Sequence, residues 1–64
     1  MKHIIYKDKF YVNMKLTYVE QKSKVYGTYV QHFPSGAMTM VKVWNTRLNK
    51  MISVRRENII AVID

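Results

Sequence analysis

No cysteine occurs in the 64 residues, so neither a disulfide nor a thiolate metal site can supply stability, and folding has to rest on apolar burial or on a partner subunit. A reducing compartment fits that absence. Proline appears once and glycine twice, all within residues 27–36, which leaves the rest of the chain without its strongest structure-breaking residues. Acidic residues are also scarce. Four Asp and Glu stand against eleven Lys and Arg, for a formal charge of +7 and a pI near 9.9. A field of that sign attracts polyanions, although scattered lysines also serve solubility alone. Long apolar runs are missing as well: the basic start Met1-Lys2-His3 leads into an apolar run that ends after Tyr6, too short for a signal-peptide core. Nothing approaches the roughly 18 apolar residues that span a bilayer. The expectation is a soluble, cytoplasmic protein with no membrane association.

What the chain does contain is the material of strands. Hydrophobic residues make up 48% and charged residues 23%, a globular and not a disordered balance. A chain of this length buries only about 60% of its unfolded surface, so residues 1–64 hold a single domain with a small core. Val, Ile, Thr, Tyr, Met and Phe dominate. His3 to Lys7 reads as a short strand, Lys7-Asp8-Lys9 as a turn, and Phe10 to Glu20 as a second strand. In that run Phe10, Val12, Met14, Leu16 and Tyr18 alternate with Tyr11, Asn13, Lys15, Thr17 and Val19, the period of a half-buried strand. The β-branched Val12, Thr17 and Val19 disfavour a helix there. Gln21-Lys22-Ser23-Lys24 is polar and reads as an exposed loop.

Two hairpins follow. Pro34-Ser35-Gly36 separates a strand from Val25 to Phe33 and a strand from Ala37 to Trp44, and a three-residue connection pairs Phe33 with Ala37, Tyr29 with Val41 and Gly27 with Val43. The polar stretch Asn45 to Lys50 then leads into Met51 to Arg55, with Trp44 facing Met51, Val43 facing Ile52 and Val41 facing Val54. Both registers place Val41, Val43, Ile52 and Val54 on one buried face. Glu57-Asn58-Ile59 suits a single 3₁₀ turn, and Ile60 to Ile63 a last short strand.

The pieces Gly27-Thr28-Tyr29-Val30, Gly36 before Val41-Lys42-Val43, and Ile52-Ser53-Val54 followed by Glu57-Asn58-Ile59-Ile60 resemble the small SH3-like barrels, the group that includes KOW, Tudor and chromo-type modules. That resemblance implies an all-β fold: an SH3-like barrel of about five to six antiparallel strands, closed on itself, with a short 3₁₀ turn before the last strand. Such barrels bind peptides, modified tails, RNA, DNA or other proteins, so the resemblance leaves the partner open. The acidic loop and paired tryptophans of the proline-peptide binders are missing here.

If the four aliphatic residues point inward, the reverse face presents Tyr26, Thr28, Met40, Lys42, Trp44, Met51, Ser53 and Arg55. Trp44 and Tyr26 become cross-strand neighbours, edged by positive charge. Aromatic rings beside cations suit single-stranded nucleic acid, since every base has a π-face and every phosphate a charge. The candidate contacts are Tyr26, Lys42, Trp44, Arg47, Lys50, Arg55 and Arg56, with Tyr29 a further stacking or packing residue and the loop residues Arg47 and Lys50 placed for phosphates. Two other readings compete. The same residue types populate protein interfaces, which suits a self-associating module or a small accessory or inhibitory protein docking on a larger one. The N-terminal strands could also fold over this face and make it a second core.

Catalytic chemistry is poorly represented. His3 and His32 have no third ligand at metal-site spacing, so neither a metal nor another cofactor is expected. Ser23, Ser35 and Ser53 lack an adjacent His and carboxylate. With Asp8, Glu20, Glu57 and Asp64 the only carboxylates, paired acid and base work has little to draw on. The sequence therefore points to a binding module and not an enzyme.

Overall fold

A computed structural model describes residues 2–64 of the chain. Its elements are β1 (His3–Val12), β2 (Lys15–Phe33), β3 (Gly36–Asn45), β4 (Lys50–Arg55), a 3₁₀ turn η1 (Arg56–Asn58) and β5 (Ile59–Ile63). The five strands form one antiparallel sheet in the order β4-β3-β2-β1-β5. Among the described residues no helix is long and apolar enough to cross a membrane.

The β3–β4 pairing follows directly from its side chains. Val41, Val43, Ile52 and Val54 alternate with polar or amphipathic residues, and only one register stacks them on a common face. Val41 lies opposite Val54, Val43 opposite Ile52 and Trp44 opposite Met51, as expected from the sequence. Asn45 opposite Lys50 closes the connection, within which Asn49 adopts a φ of 54°. Asn tolerates that left-handed conformation better than most residues.

The Pro34 hairpin is tighter than the sequence suggested. Phe33 pairs with Gly36 and not with Ala37, so the connection is the two residues Pro34 and Ser35, and Gly36 takes a φ of 131° at the exit. Every pairing along β2 consequently moves by one residue: Tyr29 lies opposite Met40, Thr28 opposite Val41 and Gly27 opposite Lys42. Such a slip reverses the face of each β2 side chain. A bulge at Tyr26 moves the pairing by one residue more, so that Val25 lies opposite Val43 and again faces the core.

The N-terminal half departs further from expectation. Lys7, Asp8 and Lys9 continue β1 without a turn, and the reversal falls at Asn13-Met14, where Val12 pairs with Lys15. Both turn residues have positive φ, 50° and 64°, the signature of a type I′ turn, which matches the right-handed twist of its strands. Likewise Gln21 to Lys24 is no loop; β2 runs through it for 19 residues in all. Alternation explains how: Gln21 and Ser23 face inward at partial and full burial, while Lys22 and Lys24 face solvent.

One long strand thus serves two ladders, its first half with β1 and its second with β3. The sheet bends across β2, and Ile4 and Tyr6 of β1 meet Val41, Val43 and Val54 of β3 and β4, flanked by Val25, Ile52 and Ile59. Each such side chain, fully buried, contributes about 1.5–3 kcal/mol. A polar chain crosses this core. The Asn45 side-chain amide donates to the Tyr6 hydroxyl (3.3 Å), Tyr6 donates to Ser23 Oγ (3.3 Å), and Ser23 donates to the Trp44 carbonyl (2.9 Å). The direction is set by its end, since a carbonyl can only accept.

The expected closed SH3-like barrel is not formed. Among the described residues, β4 and β5 are the two edges of an open sheet, with no ladder between them. Closure requires every edge to be paired with matched tilt and stagger. Here η1 carries the chain from one edge strand to the other without hydrogen-bonding the two together. The resemblance to SH3-like barrels therefore does not extend to the architecture.

Candidate functional site

The face turned away from the core is continuous along the bent sheet. Where β2 pairs with β1, it carries Lys22 and Lys24; where β2, β3 and β4 run together, it carries Gly27, Tyr29, Phe33, Lys42, Trp44, Met51, Ser53 and Arg55. No Asp or Glu occurs between Glu20 and Glu57. Seven Lys and Arg fall in that interval, so this part of the molecule holds most of the charge imbalance.

Trp44 retains 39% of its exposure, because β1 packs its Ile4 and Tyr6 against the opposite side of the sheet. The reading in which the N-terminal strands bury this face is thereby overturned. Lysine ammonium groups hover over two tyrosine rings nearby, Lys24 at 5.6 Å from the Tyr26 centroid and Lys42 at 5.4 Å from that of Tyr29. Tyr29 is held in place by donating its hydroxyl to Ser53 Oγ at 2.8 Å. Gly27 lies opposite Lys42, and a Cβ there would meet nothing within 4 Å. The floor between the rings is open.

The structure divides the residues proposed from sequence into two groups. Lys42, Trp44 and Arg55 share this outer face, and Tyr26 joins them from the bulge. Tyr26 is not the direct cross-strand neighbour of Trp44, since the bulge leaves it without a Cα partner on β3. Arg55 lies over the Phe33 ring at 5.5 Å and 3.7 Å from Glu57. Met40, expected on the open face, is buried.

The remaining three point elsewhere. Arg47, expected to be a free loop-tip cation, bonds both oxygens of Asp8 at 2.8 and 3.2 Å and stacks over Phe10 at 4.4 Å. That hydrogen bond, opposed by burial and reinforced by Asn45 and by the Arg47 charge, holds the Asp8 carboxyl below the usual carboxylate range. Lys50 follows Ile52 and Val54 on the inner side of β4, at the sheet's end. Arg56 belongs to η1 and lines a groove between β3 and β5.

Five residues of the face were assigned elsewhere from sequence. Lys22 and Lys24 were hidden in an apparent loop, and Gly27, Tyr29 and Phe33 sat on the wrong side through the one-residue slip. The alternation Lys22, Lys24, Tyr26 around Ser23 and Val25 is the signal that could have found the first two. Against family models, curated proteins and solved structures alike the chain has no match, and its surface chemistry is what speaks to function.

Proposed function

We propose that the chain is a nucleic-acid-binding module that takes a single strand along the outer face of β2, β3 and β4. The observation that carries this reading is the row of Tyr26, Trp44 and Tyr29 with Lys24 and Lys42 set over the two tyrosine rings. Each lysine lies more than 5 Å from its ring, loose enough to swing onto a phosphate while a base takes its place. Lys22, Lys24, Lys42 and Arg55 outnumber the carboxylates that border this face, Glu20 and Glu57, and that excess favours the approach of a polyanion.

The roles divide by chemistry. Trp44 and Tyr26 are the stacking residues, because both are exposed, and Tyr29 is a fixed platform whose hydroxyl is already engaged by Ser53. Lys22, Lys24, Lys42 and Arg55 supply phosphate contacts, which position the strand without reading its sequence. A duplex is disfavoured because its bases are stacked and its π-faces hidden.

The experiment is a titration of fluorescent single-stranded and duplex oligonucleotides across a salt series, with Trp44 emission recorded in parallel. Single strands are expected to bind more tightly, to quench Trp44, and to lose affinity with a log–log salt slope of about 0.7 per phosphate contacted. Absent binding, or binding that ignores salt and leaves Trp44 emission unchanged, overturns the reading.

A further inference from the structure

On the side of the molecule away from that face, the open sheet leaves a groove of about 500 Å³ lined by Thr39, Val41, Arg56 and the consecutive residues Ile59 to Val62. Successive side chains of a strand point to opposite faces, so a hollow bordered by four consecutive residues, one of them the bulged Ile60, runs along the backbone edge. Among the described residues that edge of β5 has no neighbouring strand in the sheet order. Across the groove, Ala37 to Thr39 of β3 extend past the last residue paired with β4 and are equally without a partner strand on that side.

Folded proteins protect such edges with charge, proline, bulges or a covering segment. β5, Ile-Ile-Ala-Val-Ile from Ile59 to Ile63, has no charge and no proline, its one bulge falls at Ile60 and leaves Ala61 to Ile63 regular, and Ile60 and Val62 are each about half exposed. A bare apolar edge beside an apolar groove is the arrangement that accepts an added strand.

We infer that β5 is a strand-addition site for an extended acidic peptide segment of a protein partner, its main chain pairing with β5 and alternate apolar side chains entering the groove over Val41. Charge selects the occupant. Among the described residues Arg56 is the one charged residue lining the groove; it also borders the adjoining hollow with Ala37, Met38, Thr39 and a carboxylate, Glu57. A second copy of this chain would bring another +7 to the contact, whereas an acidic strand brings the complement.

The probe is a synthetic peptide of about nine residues alternating valine and glutamate, long enough to pass the whole edge, with a valine–lysine counterpart as control. Amide NMR and hydrogen exchange on the intact chain locate binding. The valine–glutamate peptide is expected to shift the amides of Ile59 to Ile63 and to protect the alternate ones that point away from β1, the lysine peptide to do neither, and Arg56→Glu to weaken binding at least fivefold. Should Arg56→Glu lose the native amide spectrum, Arg56→Gln gives a smaller loss in the same direction. An oligonucleotide on the outer face leaves the peptide titration unchanged, so the two sites succeed or fail separately. No binding at millimolar peptide, protection away from β5, equal binding of the lysine peptide, or peptide-free protection of β5 that grows with protein concentration each overturns the proposal. The last outcome assigns the edge to a second copy.

Discussion

Arg47 and Asp8 clamp the β3–β4 loop to the middle of β1: the guanidinium spans both carboxylate oxygens at 2.8 and 3.2 Å while its plane covers Phe10. Because this carboxyl is held below its ordinary range, the unfolded chain takes up the proton first as pH falls. The clamp's contribution is therefore complete above the ordinary carboxylate range and is lost as pH drops through that range toward the lower folded-state value. Thermal melts taken from about pH 6 to about pH 2 are expected to show this decline in the natural chain and a flatter profile in Asp8→Asn. Equal pH profiles for the two would remove the clamp from the account of acid stability.

Asn45 is fully buried, with its amide on Tyr6 and its carbonyl oxygen accepting the Leu48 backbone N–H at 2.9 Å. Replacing it by alanine takes one of two bonds from the buried Tyr6 hydroxyl and the loop bond from the partly buried Leu48 N–H, and a loss of about 1–3 kcal/mol is expected by urea denaturation. Tyr6→Phe removes the middle of the same chain and should cost a similar amount. If Asn45→Ala melts like the natural chain, water has replaced the side chain and the buried network is not structural.

Met14 occupies the second central position of the β1–β2 turn with a φ of 64° and 95% of its surface exposed. A side chain gains nothing there and the backbone conformation disfavours any residue but glycine, Asn or Asp. Met14→Gly is expected to raise stability by about 0.5–1 kcal/mol despite the greater freedom of glycine when unfolded. For a domain of this size that corresponds to an increase in Tm of several degrees, readable by circular dichroism. A lowered Tm would mean that the turn is not of the primed type.

On the outer face, Trp44→Ala is expected to weaken single-strand binding by about 1–3 kcal/mol, the worth of one stacked base, with the salt slope unchanged. Lys42→Ala should instead lower that slope by about 0.7, the share of one phosphate contact. Arg47→Ala, engaged with Asp8, should leave it as it was. A slope that responds to Arg47 and not to Lys42 would place the strand over the β3–β4 loop.

What could be read in advance depended on whether a rule operates within a few residues. Val41, Val43, Ile52 and Val54 announced the β3–β4 register because a two-sided strand tolerates only one alignment of its apolar set. Trp44 was likewise found on the open face for that reason. The Asn13-Met14 turn escaped because Met is not a turn residue, while the polar Lys7-Asp8-Lys9 resembles a turn yet lies within a strand whose Asp8 is satisfied by a loop 39 residues away. Phe33 meeting Gly36 in place of Ala37 moved Tyr29 to the other side. Whether the edges meet depends on stagger and tilt summed over the whole sheet, which no local pattern contains.

Three of the four strand ladders join neighbours in the chain, whereas the β1–β5 ladder brings Ile4 against Val62. Hairpins can zip from their turns within microseconds, but this last docking must close almost the entire polypeptide into a loop before any contact rewards it. The C-terminal segment is thus expected to arrive last during folding and to detach first on unfolding, an order that hydrogen exchange of the β5 amides would reveal. The side chain whose packing against the core depends on that docking is Ile59.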